Sequence, residues 1–98
     1  MKFNERVYEI VKKIPKGKIS TYKNVAEALN CKAYRAVGNA LNKNPFSPIV
    51  PCHRIICSNG FVGGFASGVK NKIKMLRKEG IFVEDGKIEL SKYFYRLK

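Results

Sequence analysis

Three prolines fall within eight positions, Asn44-Pro45-Phe46-Ser47-Pro48-Ile49-Val50-Pro51. No helix or central strand can run through such a stretch. Each proline fixes its own φ, lacks an N–H donor and pushes the residue before it out of the helical region. The chain must therefore divide here, and the spacing predicts a rigid, extended loop. What that loop delivers is Cys52-His53-Arg54, the Cys beside the only histidine of the chain.

The half before the loop reads as helical. Val7, Ile10, Val11 and Ile14 share one face of a predicted helix over 4–14, which Pro15 and Gly17 stop. Ser20 or Thr21 can cap a second helix over about 21–29, with Val25, Ala26 and Leu29 inward. After a tight turn at Asn30-Cys31, a third helix is predicted from about Lys32 to Lys43, with Val37, Ala40 and Leu41 inward. Two short helices joined by a brief turn resemble a helix-turn-helix, the third helix being the one that reads DNA. Its opening turns carry Ala33, Arg35, Ala36, Gly38 and Asn39. Small residues there suit close approach to DNA, and equally suit close packing inside the protein.

The half after the loop mixes short elements. Ile55-Ile56 predicts a strand, Ser58-Asn59-Gly60 a turn and Phe61-Val62 a return strand, together a small hairpin or wing. The glycine-rich segment 63–68 lacks the Gly-Lys-Ser/Thr of a phosphate loop. A basic helix follows over about Val69–Lys78, with Ile73 and Leu76 inward. The tail from about 83 to 98, ending in Tyr93, Phe94, Tyr95 and Leu97, is expected to pack back on the rest. The fold class is thus mainly α: one winged helix-turn-helix domain over 1–98, with a small β-hairpin or wing.

Charge narrows the partner. Twenty Lys and Arg against seven acids leave +13, and residues 28–78 hold nine bases and no acid. A one-signed middle on a small basic domain points to nucleic acid. No apolar run approaches the ~20 residues of a membrane helix, and Met1 to Arg6 lack the apolar core of a secretory signal. A cytoplasmic monomer with no membrane partner is expected. Three cysteines, Cys31, Cys52 and Cys57, do not suggest a disulfide framework. With His53 they number four possible zinc ligands, but no CxxC or finger spacing is present, and neither metal nor cofactor is expected.

A thiol is the strongest nucleophile a protein holds near neutral pH once it becomes thiolate, and positive surroundings favour that form. Cys52 has them: His53, Arg54 and an acid-free stretch. Adjacent residues on a strand point to opposite faces, so His53 acts on Cys52 through a water or serves another network. Glu79, the first acid after the gap, is placed to orient His53, or is simply a solvated helix end.

Together these residues resemble the O6-alkylguanine-DNA alkyltransferases. Pro51-Cys52-His53-Arg54 with Ile55-Ile56 is similar to that family's active-site motif. Arg35-Ala36-Val37-Gly38-Asn39-Ala40 and Asn44-Pro45 resemble its recognition helix and the Asn-Pro after it. Gly60-x-Val62-Gly63-Gly64-Phe65 and the stretch from Lys72 to Gly80 resemble its loop and closing helix. The likeness spans about residues 3–82, in order and spacing. Larger members carry a further N-terminal domain, so the likeness is to the catalytic, DNA-binding part.

The resemblance implies a repair protein that binds duplex DNA containing O6-alkylguanine, flips the damaged base out and moves the alkyl group irreversibly to Cys52. His53 would be the base, acting through a water, and Glu79 its orienter. Tyr22 would donate to the leaving guanine and Asn44 would brace the turn below the site. Arg35 would fill the gap in the duplex, with Ala33, Tyr34, Ala36, Gly38 and Asn39 on the DNA face. Ile55, Phe65, Ala66 and Ser67 would line the alkylguanine pocket, the backbone of Cys52 and Ile55 accepting from the exocyclic amine. Ala66 stands where the family often has a serine, so Ser67 would supply that contact or it is lost. Two rivals stand beside this: a damage binder that does not transfer, and a winged-helix regulator. The presence of Cys52 argues against the first, whose members lack the cysteine, and the second does not explain a cysteine that follows a proline-rich brace beside the only histidine.

Overall fold

The computed structural model describes residues 2–47, 49–65 and 67–97. Its first helix, α1 (Phe3–Val11), buries Val7, Tyr8 and Val11. The apolar period runs on to Ile14, but the helix tightens after Val11. Lys13 N bonds Ile10 O and Ile14 N bonds Val11 O, three residues back rather than four. Ile14 still reaches the core, fully buried.

After β1 (Ser20–Thr21), Thr21 caps α2 (Tyr22–Ala28) by accepting from Asn24 N at 3.0 Å. Asn30 takes the left-handed conformation (φ 60°) that turns the chain, a position asparagine tolerates. α3 (Tyr34–Asn42) follows and packs across both α1 and α2. It starts two residues later than its apolar pattern implied, because Lys32 and Ala33 are spent in the turn. Val7, Val11, Val25, Ala26, Val37 and Ala40 fill the three-helix core, and Tyr8 locks α1 to α3 by donating to Ala40 O at 2.7 Å. A fully buried aliphatic side chain of this kind contributes about 1.5–3 kcal/mol.

The proline segment is turned rather than extended. Val50 N bonds Phe46 O at 2.9 Å, and Asn44 closes the turn at both ends: its Nδ2 donates to Val50 O (2.8 Å) and its Oδ1 accepts from Phe46 N (2.9 Å). Prolines rule out helix and sheet, not a tight turn, and a side-chain amide can satisfy the backbone groups that they leave unpaired. Cys52–Arg54 then forms a single 3₁₀ turn ahead of β2 (Ile55–Ile56).

β2 pairs in parallel with β1, Ser20 opposite Ile55 and Thr21 opposite Ile56. The turn at 58–60 forms as expected, with Cys57 N bonded to Phe61 O at 2.8 Å, but Phe61 bridges Lys87. The ladder of β2 runs to the helix-turn-helix half because Ile55 and Ile56 are both fully buried. An outer hairpin leaves one face to water, whereas a parallel strand is covered on both. The architecture is otherwise the mainly helical, winged helix-turn-helix arrangement expected.

α4 (Val69–Lys78) follows its predicted span and packs on the Cys52–Arg54 turn. A second apolar cluster forms beneath it from Ile19, Ile56, Val62, Leu76, Ile81, Val83 and Ile88. The end of the chain holds a four-residue helix, α5 (Leu90–Tyr93), too short to leave a period in the sequence. It returns to β1: Ile19 N bonds Tyr93 O, Tyr95 N bonds Ile19 O, and Leu97 N bonds the Asn24 side chain at 2.7 Å. Among the described residues no helix is long and apolar enough to cross a membrane.

Candidate active site

A 3₁₀ turn advances about 120° per residue, so three successive side chains leave it in three directions. Cys52 lines a cavity of about 310 Å³ between the end of α3, the proline turn and α4. His53 turns into the protein and is almost wholly buried. Arg54 reaches back to the end of α1, donating to Ile14 O at 2.8 Å.

Glu79, just past α4, gathers the two basic side chains. Arg54 Nε meets its Oε1 at 2.8 Å and Arg54 Nη2 its Oε2 at 2.7 Å, a two-pronged pair. His53 Nε2 lies 2.9 Å from the same Oε2. Burial raises the carboxyl's pKa, but hydrogen bonds from Arg54 and His53, with their charges, outweigh it and hold Glu79 at about 2. A carboxylate only accepts, so Nε2 carries the imidazole proton. Burial, the largest influence, lowers the His53 pKa despite Glu79. His53 is therefore neutral at pH 7 and its Nδ1 is the free base. That nitrogen is buried and has no partner among the described residues.

A second cavity of about 570 Å³ opens beside the first, bounded by Tyr22, Tyr34, Arg35, Gly38, Asn42, Gly64 and Phe65. Asn42 and Phe65 belong to the walls of both. One space thus faces outward along α3, the other inward to the thiol, and two side chains divide them. Burial first, then proximity to Cys57 and Cys52, pushes the Tyr22 phenol up to about 12, so it keeps its proton.

Lys72 underlies the whole. It is fully buried, and its Nζ donates to Ile55 O at 2.7 Å, to Val62 O and to Gly64 O at 3.2 Å. It also lies 5.8 Å from the centre of the Tyr22 ring and 5.9 Å from that of Phe65. One ammonium thus pins β2, the chain after the turn and the glycine loop. Burial lowers its pKa to about 8, while Cys57 and Cys52 resist the shift. Gly63 (φ +74°) completes the packing, since a Cβ there would lie 3.1 Å from Cys57 Sγ and 3.7 Å from the Tyr22 ring.

The 6-O-methylguanine DNA methyltransferase, DNA binding domain, family matches residues 2–81. The chain belongs to this family. The methylated-DNA–protein-cysteine methyltransferase of Sulfolobus acidocaldarius is 49% identical over 82 residues, which are 84% of this chain and 52% of the relative. The chain thus spans about half the length of the curated relatives it matches. The O6-methylguanine-DNA methyltransferase of Pyrococcus kodakaraensis superposes with a TM-score of 0.75 at 39% identity, covering 83% of this chain and 47% of that one. Atl1 of S. pombe, solved with damaged DNA containing O6-carboxymethylguanine, superposes with a TM-score of 0.86 at 29% identity. That overlap covers 96% of this chain and 94% of Atl1.

Against that family background, the structure brings Cys52, Asn44, Phe65 and Ser67 to the inner cavity, and Tyr22, Tyr34, Arg35 and Gly38 to the outer one. Ala33, Ala36 and Asn39 lie along the same stretch of α3, Ala33 and Asn39 exposed. Gly38 decides between the two readings of these small residues: a Cβ there meets nothing within 4 Å among the described atoms. Its smallness serves no internal packing. Ile55 was expected at the pocket through its backbone. Its side chain is fully buried in the core, it lines neither cavity, and its carbonyl accepts from Lys72. Ala66 lies outside the described residues. Sequence reasoning missed Lys72, Asn42 and Asn71. Lys72 left a signal: it sits four residues before Leu76, on the apolar face of α4.

Proposed function

We propose that this protein repairs O6-alkylguanine in duplex DNA by taking the alkyl group onto Cys52, once per molecule. The observation that carries this reading is Cys52 lining a cavity behind an exposed recognition-helix face, with a neutral His53 held by Glu79 beside it. Residues 1–98 work as one winged-helix unit, a monomer in the cytoplasm, where thiols stay reduced.

Ala33, Tyr34, Ala36, Gly38 and Asn39 lie along the duplex, and Arg35 takes the place of the extruded guanine. The base enters the outer cavity, and its O6 substituent passes between Asn42 and Phe65 towards Cys52. His53 Nδ1 takes the thiol proton through a water. The sulfur attacks the alkyl carbon, an S–C bond forms and the C–O6 bond breaks. The electron pair stays on guanine, whose ring accepts a hydrogen bond from the Tyr22 hydroxyl as it leaves, and the proton taken by His53 passes through water to the displaced base. Asn44 holds the proline turn that presents the thiol, and Ser67 stands at the rim of the inner cavity. The thioether has no leaving group that returns the thiol, so turnover ends there.

Intact-protein mass spectrometry after incubation with an O6-methylguanine duplex tests this. One methylene gained per molecule, mapped to Cys52 and lost in Cys52→Ala, is the expected result. Binding without any mass change refutes transfer. A second reading, damage recognition without transfer, draws on the S. pombe Atl1 overlap, which spans almost all of both chains. That outcome is its signature.

A further inference from the structure

One face of α4 takes no part in the chemistry at Cys52. Lys70, Ile73, Lys74, Arg77 and Lys78 line a groove of about 550 Å³ along it. The half-buried Ile73 and the aliphatic stems of the basic side chains make its floor, while their charged ends reach water. We propose that this groove is a second DNA-binding surface, taking the phosphate backbone of a duplex segment other than the one read by α3. The proposal goes beyond the repair reading and needs no alkyl transfer.

Uncompensated charge carries it. All four basic residues are exposed, and α4 itself holds no acid. No ion pair holds Lys70, Lys74 or Lys78 among the described residues, and no acid lines the groove. Glu79, next in the chain, is committed to His53 and Arg54. Lys70, Lys74 and Lys78 follow one another at four-residue steps, where like charges repel along a helix. Lys70 also stands in the first turn, at the positive end of the helix dipole. A face that met only water would be more stable with alternating signs, whereas a polyanion relieves both repulsions at once. The loop before β1 adds to the field. Exposed Lys16 and Lys18 flank Gly17, where a Cβ would lie 3.5 Å from Glu79 O at the end of α4. α3, by contrast, carries a single cation, Arg35.

Geometry makes it a separate segment. Asn71 and Met75 form the α4 wall of the inner cavity, which Leu41 and Asn42 at the end of α3 also line. Lys72 and Leu76 are buried beneath the helix. At 3.6 residues per turn, the groove residues lie roughly a third of a turn from Asn71 and Met75, on the flank turned away from α3. There Arg77 Nη2 donates to Val83 O at 2.9 Å and joins the groove to the chain that follows α4. The molecule is 36 Å in its longest dimension. Duplex DNA is stiff over such a length, its persistence length being about 150 base pairs, so a segment lying on α3 does not fold round to the far flank of α4. One molecule can thus hold two segments, and pass from one to the other without releasing both.

Native mass spectrometry in excess DNA counts the duplexes held by one protein. The probe is an unmodified duplex of about 12 base pairs, roughly 40 Å long, enough for one face and too short to wrap two. Wild type should bind two. The triple variant Lys70→Gln, Lys74→Gln, Lys78→Gln should bind one. Its affinity for the second should fall at least about a hundredfold at about 0.1 M salt, where each lost phosphate contact is worth about tenfold. Arg77 is kept because it holds Val83 O. The three lysines are exposed and repel one another, so the variant's urea midpoint should equal or exceed that of wild type. Saturation of wild type at one duplex overturns the proposal, and binding of phosphatidylserine vesicles through the same lysines would then make the partner a membrane surface. A second duplex that survives the triple variant overturns it as well. Loss of both duplexes together would make the groove part of the α3 interface and refute a separate segment. None of these counts depends on Cys52, so the repair reading stands or falls apart from them.

Discussion

Glu79 Oε2 stands 2.9 Å from His53 Nε2 while the same carboxylate is clamped by Arg54. The imidazole is thus oriented by a group that is itself immobilised. Glu79→Gln removes the charge and half the clamp, and leaves Arg54 short of a partner. Unfolding in urea at pH 7 should show a loss of about 3 kcal/mol, the size of breaking a buried pair. The alkyl-transfer rate should fall about a hundredfold, as expected when a base loses its orientation. An unchanged rate would show that His53 is not the base.

Acid should weaken the native state in two windows. The Glu79 carboxyl is depressed to about 2, so its stabilisation is present above the ordinary carboxyl range and is lost as pH falls towards 2. His53 also has a lowered pKa. The unfolded chain binds that proton first, so stability already declines as pH drops below about 6.5. Urea midpoints at pH 7.5, 5.5 and 3.5 check this, and His53→Gln should flatten the upper window alone.

Lys72 acts in the opposite range. Its folded pKa, about 8, lies below the ordinary lysine value, so between about 8 and 10 the unfolded chain holds more protons. Stability should rise with pH across that window. Lys72→Met should abolish the rise, and by freeing the carbonyls of Ile55, Val62 and Gly64 it should slow transfer as well. A stability curve with the same slope in both proteins would place the buried charge elsewhere.

Gly63→Ala and Gly38→Ala make opposing forecasts. At Gly63 the backbone is left-handed and a methyl meets Cys57 Sγ, so the substitution should cost about 1–3 kcal/mol. Adding Cys57→Ala should return part of it, leaving the backbone strain. At Gly38 the helix interior is open, and alanine should stabilise the free protein by up to about 1 kcal/mol. The same change should weaken duplex binding if α3 lies against DNA. Thermal melts and binding titrations on both variants separate the two effects.

Salt gives the interface its own check. Raising it should weaken duplex binding by release of phosphate counterions. Arg35→Ala should reduce flipping of the damaged base, read by a fluorescent base analogue, more than it reduces affinity. Equal losses would make Arg35 a phosphate contact.

Helices α1 to α4 were legible because their apolar spacing survives intact. Val69–Lys78 was read to the residue, since Gly68 before it and Gly80 after it punctuate the pattern. The pairing of Ile55-Ile56 was not legible, because two consecutive buried residues fit an outer hairpin and an inner parallel strand alike. The folding back of Asn44 onto Val50 O escaped too, since prolines announce what a segment cannot do and not which turn it takes. In the candidate site, the His53–Glu79 contact was expected from residue chemistry and motif. Lys72 was not, because an ionisable side chain on an apolar helix face reads as a break in the pattern until its three carbonyls are in view. Ile55 was assigned to the pocket by likeness, through its backbone, and its side chain belongs to the core.

The parallel pairing of Ser20-Thr21 with Ile55-Ile56 encloses the entire helix-turn-helix between its two strands. That closure is non-local and belongs among the slow contacts of a folding chain. The turn that carries Cys52 sits immediately before the second strand, so the pairing that closes the fold also fixes its place. Until the two strands pair, Cys52 stands apart from the cavity walls that α3 and α4 supply, so the proposed acceptor exists only in the closed fold.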